Sequence, residues 1–374
     1  YPLARWVLPH ISSREHAIIV HLTIAIAFSS FIFGQKMILA IIMIFTGYLI
    51  IDKDPNFVFT ISFIMNSIIH FIQFCWSPHH KVSNLTMIVF YKIVATSYNL
   101  DDGRKIKFQD DTITENQRSL HLTKKPTFVE WIAYCLTPFG SISNSFYEFK
   151  FFDRLLDAGT KQQTVSDTNK AKAKDRLIRS FLHGLIYFTF RHSFKFGFYQ
   201  TVCFYSFNII TRILFVLFLS VVIFSKDFMF WNVVDAGLFE AGFADYGIEP
   251  EDDYTSLTFE HLLSMKNIRE WSFAYNHTNE IFWLKYFKSR VTRKRHIENA
   301  CKTIYKGFWG GIILASLEKT LFLLAERDLH LILPICTRSF WPTYIFAQIM
   351  MAFNRTSKRF KTTYSYFYMN YVIY

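Results

Sequence analysis

Cysteine, glycine and acidic residues are all scarce in this sequence, and each shortage argues against a class of protein. The five cysteines stand at positions 75, 135, 203, 301 and 336, far apart and without a C-x-x-C pair, so neither a zinc site nor a disulfide framework is indicated. There are 13 glycines in 374 residues, and no G-x-x-x-x-G-K-S/T loop or G-x-S-x-G elbow among them. H-E-x-x-H is absent too, which removes the usual zinc-protease arrangement. Asp and Glu number 29 against 41 Lys and Arg, for a formal charge of +12.

What the sequence has in excess is apolar and aromatic surface. Half of it is hydrophobic (51%) and 19% is aromatic, with 43 Phe, which is too apolar for an ordinary soluble domain of this length. A polytopic membrane protein is the expected class. The positive charge sits in short connecting stretches, which fits loops facing anionic lipid headgroups better than a nucleic-acid groove. No nucleic-acid partner is expected. The sequence opens at Tyr1 rather than at an initiator methionine, and targeting is not legible from that end.

A spanning helix needs roughly 20 apolar residues. Membrane segments are predicted near Ala17–Phe33, Met37–Ile51, Phe57–Trp76, Leu85–Tyr98, Phe128–Phe139, Phe181–Phe190, Thr201–Phe224, Ile304–Leu324 and Leu329–Phe353. Those too short to span alone are expected to be tilted, re-entrant or interfacial. The polar stretch at about 153–179 reads as a solvent loop with a short surface helix at its end. The stretch at about 285–306 holds eight Lys or Arg against the single Glu298, and by the positive-inside rule faces the cytosol or matrix. Residues 1–374 read as one membrane domain, all-α, with about 9–11 membrane helices. No inverted repeat of the transporter kind is found.

Isolated polar signals are read conservatively. His79 and His80 form a surface-loop pair without a third ligand. The N-x-T triplets at Asn84, Asn276 and Asn354 are treated as chance matches to the glycosylation pattern. Lys92, in an apolar helix, and the Glu318–Lys319 pair are expected to touch polar protein or a wet cavity.

Five stretches in a fixed order rise above that background. They are "YPLARWVLPHISSREHAIIVHLTIAIAF" (1–28), "MIVFYKIVATSYNLDDGR" (87–104), "KKPTFVEWIAYCLTPFGSISNSFYEFKFFDRLLD" (124–157), "FWNVVDAGLFEAGFADYG" (230–247) and "EWSFAYNHTNEIFWLKYFKSRV" (270–291). Together they resemble the lysophospholipid branch of the membrane-bound O-acyltransferase (MBOAT) family. The second resembles that branch's helix with a mid-span Lys ending in an Asp-Gly turn. The third resembles its gate-like segment, with Glu148 as the acidic residue. The last resembles the catalytic Asn segment and places that Asn at Asn276, flanked by Tyr275, Tyr286 and Arg290.

The resemblance also implies a departure. In the family a Trp-His-Gly follows in an apolar span, and "FWGG" (308–311) holds its place here, so Gly310 stands where the family has its catalytic His. That His is the general base acting on the lysophospholipid hydroxyl, worth roughly 10²–10⁴-fold in rate. His277 and His330 are poorly placed to substitute, by helix direction and by distance. In "SISNSFYEFK", Ser-Asn-Ser replaces the family's Gly-Pro. The expectation is therefore a catalytically inactive protein in which Asn276 is vestigial and Trp309, Gly310, Gly311, Tyr275 and Glu148 border a lipid tunnel. It would bind membrane phospholipids and serve with other subunits in a larger membrane assembly. No metal or cofactor is expected, and acyl-CoA would be a cosubstrate only in an active enzyme. By the resemblance the membrane is that of the endoplasmic reticulum, or the mitochondrial inner membrane for an organellar complex. The alternatives are an active lysophospholipid acyltransferase and, third, an unrelated transporter with a polar path.

Overall fold

A computed structural model describes residues 13–76, 82–108, 113–138, 146–158, 165–194, 202–242, 264, 270, 273–274, 277–292 and 294–305. Every regular element among them is a helix: α1 (Arg14–Phe33), a 3₁₀ turn (Gly34–Lys36), α2 (Met37–Ile50), α3 (Pro55–Trp76), α4 (Val82–Lys107), α5 (Glu115–Leu120), α6 (Phe128–Leu136), α7 (Phe149–Ala158), α8 (Asp167–Phe190), α9 (Val202–Ser206), α10 (Ile209–Glu240), α11 (His277–Phe282), a π-turn (Trp283–Lys288) and α12 (Arg295–Tyr305). Three are long and apolar enough to cross a membrane: α1, α3 over Pro55–Gln73, and α10. The chain divides into two units, the first of Tyr1–Arg176, Val233–Ser256 and His277–Phe308, the second of Leu177–Asn232, Leu257–Asn276 and Trp309–Tyr374.

In the first unit, α1 begins where the Ser13 hydroxyl accepts from the His16 amide and ends at Gly34, whose φ of 55° suits a residue without Cβ. Ala17, His21, Ala25 and Ser29 recur every fourth residue on its buried face. Three of the four are small, which lets α6 approach closely, while Ile19, Ile26 and Phe31 stay exposed. Arg14 ties the start of α1 to α6 and α7 through Glu130, Asp153 and Asp157, at 2.6, 2.5 and 2.5 Å. Thr127 and Glu130 form a reciprocal capping box at the start of α6, and Trp131 Nε1 donates to the Ile44 carbonyl of α2 at 2.9 Å.

Helix α4 occupies the middle of this unit. It is buried on all sides from Leu85 to Leu100, and α2, α3, α5, α6 and the π-turn pack against it. An apolar segment read from sequence as a membrane span is thus enclosed by protein rather than lipid. The aspartates and glycine at 101–103 do not make the expected turn, since the helix runs through them to Lys107. Gly103 is needed for another reason: a Cβ there would overlap the Leu122 carbonyl oxygen, where residues 121–122 cross the helix. The Leu122 amide donates to the Asn99 carbonyl at 2.9 Å at this crossing.

Two further expectations change. Most of 153–179 is helical, because α7 covers its start and α8 begins at Asp167. The buried side chains Asn169 and Ala173 give α8 an inner face, and the Arg176 guanidinium lies 3.7 Å from the buried Asp235 carboxylate. The basic stretch 285–306 is likewise largely the π-turn and α12, with Tyr286, Phe287 and Tyr305 buried. Lys288 and Lys294 are exposed, but Arg290 and Lys302 turn to Asp102 and Glu280, an arrangement that composition alone hides. In the second unit, the later part of α8 packs on α10 through small residues: Ser180 Oγ donates to the Met229 carbonyl at 2.8 Å, and Gly184 leaves room for the Met229 sulfur.

Candidate functional site

The most concentrated buried chemistry lies where the C-terminal half of α4 meets the π-turn and the segment before α7. Asn99 and Asp102, three residues apart on α4, face Tyr286 and Arg290, four residues apart on the other strand of chain. The Arg290 guanidinium grips the Asp102 carboxylate with two hydrogen bonds, Nη1 to Oδ1 at 2.9 Å and Nη2 to Oδ2 at 2.7 Å. It also lies over the rings of Tyr98 and Tyr286, at 4.8 and 5.4 Å. Burial by itself would ease the proton off Arg290, but the hydrogen bonds and charge of Asp102 prevail and raise its affinity for that proton.

Beside this pair, Glu148, Tyr286 and Asn99 form a triangle. Tyr286 Oη lies 2.7 Å from Glu148 Oε1 and 3.1 Å from Asn99 Oδ1, and Asn99 Nδ2 donates to Glu148 Oε2 at 2.9 Å. Burial pushes the Glu148 carboxyl above its usual range, against the pull of the Lys285 charge and the donors Tyr286 and Asn99. The geometry agrees with that direction. A protonated Glu148 donates to Tyr286, Tyr286 to Asn99, and Asn99 back to Glu148, closing the ring with one hydrogen per contact. An ionised Glu148 takes the Tyr286 hydrogen, which then no longer serves Asn99 Oδ1. With Glu148 only 1% exposed, its carboxyl acts as a brace between chain segments, sealed from solvent.

Lys92 sits about two turns earlier on α4. Its ammonium donates to the Tyr134 and Cys135 carbonyls, at 2.5 and 3.4 Å, and lies 4.5 and 4.7 Å from the ring centres of Tyr134 and Tyr147. These carbonyls close the C-terminus of α6, where the helix dipole is negative. The Tyr134 hydroxyl, donating to the Tyr147 carbonyl at 2.7 Å, holds the cradle together. The charge expected to meet polar protein does so. Phe90 and Tyr91 of α4, Phe282 of α11, Trp283 of the π-turn and Tyr305 of α12 form an aromatic wall, with Trp283 Nε1 donating to Tyr91 Oη at 3.1 Å.

Of the site residues read from sequence, Glu148 falls in this cluster together with the flanking Tyr286 and Arg290. Asn276, Tyr275, Trp309, Gly310 and Gly311 lie outside the described residues, as do His79, His80, Glu318, Lys319 and His330. His277 is half-buried at the start of α11. Asn99 and Asp102 were missed as site residues. Their signal was polar side chains at helical spacing inside an otherwise apolar segment. Among the described residues no group of three His, Cys, Asp or Glu side chains is arranged to hold a metal. No protein-family model matches the chain, and no curated protein does.

Proposed function

We propose that this chain is a multi-pass membrane protein of MBOAT-like architecture that binds phospholipid and has a structural role in a larger membrane assembly, without acyltransferase activity. The observation that carries the reading is Gly310. A glycine occupies the place where the resemblance calls for the general base, and it has no side chain to accept a proton. Three apolar helices of spanning length support the membrane setting. The sealed position of Glu148 supports a bracing role for the one carboxylate that the resemblance brings to the gate-like segment. The membrane is that of the endoplasmic reticulum or, in an organellar assembly, the mitochondrial inner membrane.

A second reading, an active lysophospholipid acyltransferase, is favoured by one feature: Asn276 is retained with Tyr286 and Arg290 after it. An acyl-transfer assay separates the two. Purified protein in nanodiscs, given acyl-CoA and a panel of lysophospholipids, is expected to transfer no more than a heat-treated sample. Transfer above that control that disappears in Asn276→Ala overturns the proposal in favour of the enzyme.

A further inference from the structure

Helix α3 buries four polar side chains between Ser62 and Gln73, beside the apolar Ile69, and exposes large apolar ones. Phe57, Ile64, Ile68 and Phe71 are exposed, while Ser62, Asn66, His70 and Gln73 are buried. Spacings of four, four and three residues place the polar four on one face, in a row about 16 Å long at 1.5 Å per residue. That is about half the thickness of the hydrocarbon layer.

The row is short of partners. Ser62 Oγ, Asn66 Oδ1, both ring nitrogens of His70 and Gln73 Nε2 have no hydrogen-bond partner among the described residues. Asn66 Nδ2 does donate, to the Tyr305 carbonyl at 3.1 Å. A helical hydroxyl usually has a partner at hand one turn back, and on the exposed side Thr60 uses it, donating to the Asn56 carbonyl at 2.8 Å. Ser62 does not. Buried polar atoms without partners are costly in a low-dielectric interior, and a run of them on one helix face is a poor way to build a dry contact.

The chemistry of the row narrows the guest. None of the four is a carboxylate, ammonium or guanidinium, so no ion would find its charge balanced. Asn66 Oδ1 needs a donor, Gln73 Nε2 needs an acceptor, and Ser62 and His70 can each use both. Water supplies both roles. We propose that the buried face of α3 from Ser62 to Gln73 is a binding site for a file of waters, a hydrated seam inside the first unit that reaches the Tyr305 end of the aromatic wall. Helix α4, packed along α3, carries two more buried hydroxyls without partners among the described residues, Thr96 and Ser97. The seam is independent of whether acyl transfer is retained.

Radiolytic labelling tests it on the unaltered full chain in nanodiscs. X-ray pulses convert water beside a side chain into hydroxyl radical, and mass spectrometry reads the oxidation rate residue by residue. His21 on α1 is the internal control: like His70 it is fully buried with both ring nitrogens unpartnered, but its face of α1 carries only Ala17, Ala25 and Ser29. His70 is expected to oxidise at least about ten times faster than His21 and to incorporate ¹⁸O from labelled water. Equal rates, whether both slow or both fast, overturn the proposal, because they mean either a dry interior or general opening of the unit.

Discussion

Removing Arg290 while leaving Asp102 in place tests the buried cluster most directly. The Asp102 side chain is 1% exposed and Arg290 14%, and two charge-assisted hydrogen bonds join them. Arg290→Ala leaves a carboxylate enclosed by protein with no countercharge, a change that costs about 3–5 kcal/mol. Asp102→Ala is expected to cost less, about 1.5–3 kcal/mol, because the guanidinium keeps its place over Tyr98 and Tyr286 and has a route to water. The double variant should cost less than the sum of the two, by about 2 kcal/mol, since neither partner is then stranded. Equilibrium unfolding in mild detergent, followed by helical circular dichroism, gives all four corners of the cycle. Being buried, the pair should also resist screening, so the coupling should change little as salt is raised. An Arg290→Ala penalty below about 1 kcal/mol, the range of solvated surface pairs, would show that Asp102 is not sealed and would refute the clamp.

Two other outcomes follow from the same region. Gly103→Ala should destabilise by about 3 kcal/mol, because its Cβ meets the Leu122 backbone carbonyl. Gly47→Ala should cost nearer 1 kcal/mol, since its Cβ meets the flexible end of Ile93 at 2.6 Å; equal losses in melting temperature would contradict the crossing of residues 121–122 over α4. The second concerns pH. A carboxyl whose proton affinity is raised by folding favours the folded state while protonated, so Glu148 should cost stability as pH rises from about 4.5 through its raised value. Glu148→Gln should abolish that part of the pH slope, and an unchanged difference between wild type and variant across the range would place Glu148 in contact with water.

The sequence by itself determined the helical class and the places of the most apolar helices. Runs such as 37–50 and 55–76 are apolar over the length a helix needs, and their boundaries carry their own signals, as with Ser13 before α1 and Gly34 after it. Composition likewise set the basic character of 285–306. Tertiary structure alone decided which side of each helix is inside. Helix α4 reads as a membrane segment, and apolarity looks the same against lipid and against protein; only its neighbours reveal that it is enclosed. Lys92 could be seen as a charge in an apolar helix, but not that the carbonyl end of α6 and two tyrosine rings would receive it. The Asn99–Glu148–Tyr286 triangle joins residues up to 187 positions apart, and the Asp102–Arg290 pair spans 188. Local propensity acts over a few residues, so contacts at such separations are fixed by packing, which brings together polar groups that have no other means of being satisfied once buried.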